Sequence, residues 1–196
     1  MKKKELDNIS DSLCVLNSNK FNLYKGYGFS TLQIKELFEY EEFNVLYVIR
    51  SRYIIPDMSV AQIREIMRGI YSDHILSMDV QVYANVKYSH GFMRTIRILL
   101  ERGIDASMIR KLLGMGEFTS KEIFVLALAA LVDNQDIELN VRFVKKCKDQ
   151  VDQLYKAYSV TVRSKKYSLE DITKSFDLDL NLAKIEYLES HKNESI

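Results

Sequence analysis

One local pattern occurs four times between Phe29 and Asn134 and confines the chain to repeated helical units. Ile34, Ile63, Met93 and Ile123 follow one another at steps of 29, 30 and 30 residues. Five residues before each stands a large apolar residue (Phe29, Met58, Tyr88, Phe118), and four before stands a hydroxyl (Ser30, Ser59, Ser89, Thr119). Three after comes Leu37, Ile66, Ile96 or Leu126, and ten after comes Asn44, Asp73, Gly103 or Asp133. The hydroxyl reads as an N-cap, because its oxygen can accept from the unpaired N–H groups that open a helix. Gln33, Gln62 and Glu122 fall three residues later and complete a capping box, with Phe92 as the exception. Apolar residues at intervals of three and four then make one helical face, and a turn-former closes it. A shorter apolar run follows within three copies: Val45 to Ile49, His74 to Met78 and Ile104 to Leu113.

A helix pair of this size cannot bury its apolar face alone, so the copies must stack. The expected fold is all-α: four to five capped repeats of about 30 residues, stacked as a compact solenoid or bundle. The fourth copy, from Ile123 to Leu131, is apolar on every side and is expected to be the central helix.

Within Val82 to Ser107 the pairs Tyr83-Ala84, Phe92-Met93 and Ile96-Arg97 precede a turn, Gly103-Ile104-Asp105. This segment resembles a degenerate short repeat of proteins from Gram-positive phages, plasmids and other mobile elements. There a Tyr-Ala pair, a Gln-Met pair, an Ile-Arg pair and a Gly-Leu-Asp turn recur. Phe92 stands where that pattern has Gln, and the likeness extends over roughly 29–134. The resemblance implies a phage or mobile-element factor that binds and modulates a host or defence protein. It carries no activity and no site residue.

After Asp136 the thirty-residue pattern gives way to Ile137, Val141, Val144, Lys148, Val151, Tyr155, Tyr158 and Val162, a heptad seam. It predicts one long helix over 135–166, bracing the repeats or pairing with a second copy as a homodimer. The chain thus divides into an N-terminal tail and helix (1–28, with Leu6, Ile9, Leu13 and Leu16 as a stripe), repeats (29–134), the long helix, and a C-terminal segment (167–196). That last segment restarts the motif with Tyr167, Ser168 and Asp171. It also has the outline of a helix-turn-helix, with Phe176-Asp-Leu178 as the turn. The acids Asp177, Asp179, Glu186 and Glu189 would repel DNA, so a structural helical pair is the better reading.

Lys and Arg number 28 against 27 Asp and Glu, which excludes both a strongly basic nucleic-acid binder and an acidic DNA mimic. No apolar run reaches membrane-span length, and Met1 to Asp7 is too polar for a signal peptide, so a cytoplasmic location is expected. Cys14 and Cys147 stand alone, and His74, His90 and His191 are isolated; His74 occupies an apolar repeat position and reads as core or boundary. No nucleophile, base and orienting acid come together, and no metal-ligand spacing occurs. The expectation is therefore no enzyme, no cofactor and no metal.

Two surfaces remain as candidates. Arg64, Arg68, Arg94, Arg97, Arg102, Arg110 and Lys111 crowd the second and third copies and could face a protein partner, Arg64 and Arg94 as a ladder. A solvated face with local pairs such as Arg97 with Glu101 is the competing reading. Arg142, Lys145, Lys146, Arg163, Lys165 and Lys166 make the long helix the most basic region, the surface of an alternative nucleic-acid-binding regulator. A protein-interaction module is the leading expectation.

Overall fold

The computed structural model describes residues 18–40, 45–50, 52–132, 137–164 and 166–190, which are largely helical and contain no strand. The order is α1 (18–26), α2 (Thr31–Phe38), α3 (Val45–Arg50), α4 (Val60–Ile70), a 3-10 helix (Ser77–Val82), α5 (His90–Glu101), α6 (Ala106–Gly114), α7 (Ser120–Val132), α8 (Ile137–Lys146), α9 (Lys148–Arg163) and α10 (Leu169–Ser190). The stripe of Leu6, Ile9, Leu13 and Leu16, the positions Glu41, Asn44, Asp133 and His191, and the cation Lys165 lie outside the described residues.

The hydroxyls open the helices as expected. Ser30, Ser59 and Ser89 accept from the N–H of Gln33, Gln62 and Phe92, and Thr119 accepts from Glu122. Gln33, Gln62 and Glu122 each accept in return from the capping residue's own N–H at 2.7 Å. Phe92 has no polar group to do so. The aligned Ile34, Ile63, Met93 and Ile123 are wholly buried, as are Leu37, Ile66, Ile96 and Leu126. At the end of α5, Gly103 adopts φ +88°, and Ile104 donates to Leu99 O while Gly103 donates to Leu100 O. This is the left-handed stop that only glycine takes without steric cost.

The capping glutamines also link one copy to the next. The Gln33 amide nitrogen donates to Pro56 O at 2.7 Å and Met58 O at 2.6 Å, the residues three and one before the next cap, Ser59. The Gln62 amide nitrogen donates to Val86 O at 2.9 Å and Tyr88 O at 2.7 Å, which stand in the same relation to Ser89. One side chain thereby caps its own helix and fixes where the next begins. Phe92 occupies the third such position and packs against Tyr88 instead, the rings tilted by 46° with centroids 4.8 Å apart.

Packing follows chain order: α2 on α4, α4 on α5, and α5 on α7. Helix α7 is buried from Glu122 to Ala130 and is surrounded further by α6, α8, α9 and α10, which makes it the central helix. Between α4 and α5, Tyr83 reaches in so closely that a Cβ on Gly69 would lie 1.7 Å from its hydroxyl oxygen. Glycine at 69 is required by this approach.

Three expectations are corrected. The run His74 to Met78 is no α-helix: only Ile75 turns inward, His74 is exposed rather than core or boundary, and a 3-10 helix begins at Ser77. The single long helix is two, because the backbone at Cys147 leaves helical geometry (φ −104°, ψ 61°). Lys145 and Lys146 suit the C-terminus of α8 and Asp149 the N-terminus of α9, so local charge favours a stop and restart there. The heptad seam turns inward on both pieces, with Ile137, Val144, Val151, Tyr158 and Val162 buried, which is the first of its two expected uses, packing within the chain. Finally, α10 is continuous from Leu169 to Ser190. Phe176, expected in a turn, is buried mid-helix with its ring edge-on to Tyr158, and no Gly or Pro interrupts it.

Candidate protein-interaction surface

Most of the arginines expected to face a partner bond within the protein. Arg64 holds Glu36 through two bonds, Nε to Oε1 at 2.8 Å and Nη2 to Oε2 at 2.6 Å. Arg97 lies between Glu65 (2.9 Å) and Glu101 (2.5 Å), and Arg68 adds a 3.2 Å contact to Glu65. Burial works against the Arg97 charge, but Glu101 and Glu65 outweigh it and hold its guanidinium above the ordinary value. Arg102 donates to Tyr167 O, and Arg110 lies 3.4 Å from Asp79. Arg94 and Lys111 are exposed. Arg64 reaches back to Glu36 on α2, while Arg97, and not Arg94, takes Glu65 on α4. These charges join α2, α4 and α5 to one another. An open cleft of about 610 Å³ beside the first pair carries both signs, with Lys35, Glu39, Arg64 and Arg68 on its walls.

The basic residues after Asp136 are divided by the break at Cys147. Lys145 donates to Glu117 O, lies 4.3 Å from the Phe118 ring centroid and 3.8 Å from Glu122. Arg163 donates to the Tyr155 hydroxyl at 3.0 Å, Arg142 lies 3.7 Å from Glu138, and Lys146 and Lys166 are exposed. They form no single strip along one helix.

The structure shows a further surface that the sequence reading does not single out. Helix α10 buries Ile172, Phe176, Leu180 and Ala183 against the core, yet Leu178, Leu182, Ile185 and Leu188 are 51–67% exposed. Counting turns from the helical repeat sets the two groups about 180° apart. The exposed set is thus a second face and no overflow of the first. Each of these side chains leaves roughly 1–2 kcal/mol of burial energy unrealised in water. The signal is present in the sequence as steps of four, three and three residues opposite the inward stripe.

Beside this face runs a groove of about 230 Å³ between α9 and α10. Leu154, Ala157, Leu182 and Ala183 supply its apolar lining, and Gln150, Gln153, Asp179 and Glu186 its polar lining. Leu182 belongs to both stripe and groove. Asp179 accepts from the Tyr158 hydroxyl at 2.6 Å, and burial followed by this carboxylate pushes the Tyr158 phenol well above its usual range. No cation lines the groove.

Among the described residues no three His, Cys, Asp or Glu side chains gather as metal ligands, and no helix is long and apolar enough to cross a membrane. Burial pushes the Cys147 thiol up, which opposes nucleophilic use. Comparison with family models, with curated proteins and with solved structures gave no match.

Proposed function

We propose that this protein is a non-enzymatic interaction module in which four copies of one helical unit, begun by α2, α4, α5 and α7, stack as a short solenoid that carries α10 as its partner-binding element. The observation that supports this reading most is the second apolar face of α10. An exposed row of large aliphatic residues is costly to keep in water and marks a contact surface when it is continuous. The likeness of Tyr83 to Asp105 to mobile-element repeats supports a factor that acts by binding a host or defence protein.

The test is a photo-crosslinking amino acid placed at Ile185, with Lys111 as the control site, in cells making the full chain. Discrete adducts from position 185 and none from 111 are expected. The reading fails if 185 yields no adduct, or if both sites give the same smear.

A further inference from the structure

The charges around the α10 face narrow what can cover it. Helix α10 carries Glu170, Asp171, Asp177, Asp179, Glu186 and Glu189 against Lys174 and Lys184, a net charge of −4. The whole chain has a net charge of +1, so the remaining residues carry +5. The acidity is local to the helix that shows the apolar stripe. Lys174 is taken up by Glu170 at 2.8 Å. Within the groove, Asp179 and Glu186 stand seven residues apart on the same wall, about 10 Å along the helix axis. Between them lies the exposed Leu182, and opposite them the uncharged Gln150 and Gln153. An apolar floor with two carboxylates on one wall and no cation is suited to an amphipathic helix that carries basic residues beside its apolar ones.

A second copy fits this face poorly when laid antiparallel on itself. Asp179 and Glu186 of one chain would then meet the same carboxylates of the other, and like charges beside an apolar contact oppose association. The expected long-helix seam offers little to a second copy either, since Ile137, Val144, Val151, Tyr158 and Val162 are buried within the chain.

Building on the interaction reading above, we propose that the α9–α10 groove and the adjoining Leu178–Leu188 stripe bind a basic amphipathic helix of a protein partner. The apolar face of that helix covers Leu182 and Ile185, and its cations pair with Asp179 and Glu186. The small side chains of Ala157 and Ala183 leave space for a large aliphatic residue of the incoming helix.

The test uses the full chain and two labelled helical peptides of one apolar pattern, the first of leucine and lysine, the second of leucine and glutamate, followed by fluorescence anisotropy. The lysine peptide is expected to bind, more weakly as salt rises, and the glutamate peptide at least about tenfold less tightly. Leu182→Asn with Ile185→Asn should weaken the lysine peptide by about tenfold or more. Glu186→Gln, which keeps the Asp179 bond to Tyr158, should weaken it by about two- to fivefold while leaving the circular dichroism melt in place. Equal binding of both peptides overturns the basic-helix proposal and leaves an interaction surface without charge selection. A chain that binds neither peptide but sediments as a dimer, dissociated by Leu182→Asn with Ile185→Asn, overturns it in favour of a second copy. Lysine-peptide binding that appears only after Leu13→Asp assigns the face to the chain's own N-terminal segment and overturns it as well. A monomer that binds neither peptide in any variant overturns both this proposal and the interaction reading of α10.

Discussion

Replacing Gln62 by Glu changes one nitrogen to oxygen and preserves size, so it isolates the donor half of the link between α4 and the start of α5. At neutral pH the carboxylate can still accept from the Ser59 N–H, but its second oxygen faces the Val86 and Tyr88 carbonyls, 2.9 and 2.7 Å from the amide nitrogen it replaces. Two hydrogen bonds are lost at about 1 kcal/mol each, and a charge set against two carbonyl oxygens at a buried position adds roughly 1–3 kcal/mol. The expected destabilisation at pH 7 is therefore about 3–5 kcal/mol. In acid the side chain carries a proton and can donate to one carbonyl, so only one bond is missing and the penalty falls to about 1 kcal/mol. Ionisation is disfavoured in the folded state, which raises the folded pKa above the unfolded value of about 4.3. The variant's relative stability is then greatest below that value and is lost as pH rises through the folded pKa. The loss is about 1.4 kcal/mol for each pH unit that separates the folded from the unfolded pKa. Urea titrations of variant and wild type at pH 4 and pH 7 measure the difference. Gln33→Glu should behave alike, since its amide makes the same pair of contacts to Pro56 and Met58. A penalty that stays constant between the two pH values in both variants refutes the reasoning.

Gly69→Ala should destabilise by about 3 kcal/mol or more, because the new methyl collides with the Tyr83 hydroxyl; adding Tyr83→Phe removes the colliding oxygen and should recover part of the loss in a thermal melt. Arg97→Ala leaves Glu65 and Glu101 without the guanidinium between them and should cost roughly 3–5 kcal/mol in urea unfolding. Arg64→Ala, at a half-exposed pair, should move the melting temperature much less, and equal losses would contradict the distinction. Asn140 is buried with neither side-chain polar atom bonded, so Asn140→Leu should raise the urea midpoint, by about 1–2 kcal/mol of stability; a lowered midpoint would mean that the amide makes a bond the apolar residue cannot replace.

Features that depend on near neighbours in sequence are readable from it. Ser30, Ser59, Ser89 and Thr119 cap as expected because a cap and its helix lie within a few residues. Ile34, Ile63, Met93 and Ile123 are buried because helical periodicity is local too. The same spacing gives the Arg97–Glu101 pair but not the distant ones: Glu36, the partner of Arg64, and Glu65, the other partner of Arg97, lie 28 and 32 residues away, on α2 and α4. Nor can it reveal that the capping glutamines donate to the next copy, since an N-cap reading concerns only the acceptor oxygen. The heptad seam continues across Cys147, so periodicity does not register the break. The α10 face is legible, but taking Phe176-Asp-Leu178 as a turn divides the helix and hides two stripes that are visible only when it is read through.

The double bonding of Gln33 and Gln62 has a consequence for variation along the chain. Each glutamine anchors the entry to the next long helix, and nothing in that anchor depends on the path taken between. The path contains an α-helix, Val45–Arg50, before Ser59, and a 3-10 helix, Ser77–Val82, before Ser89. Intervening segments can therefore differ in secondary structure while the start of the following helix stays pinned, provided each supplies its buried side chains, as Val48 and Ile54 do in the first and Val80 and Tyr83 in the second. Changes of sequence would be tolerated first at their exposed positions, such as Leu76 and Met78, where they alter the surface and leave the scaffold in register.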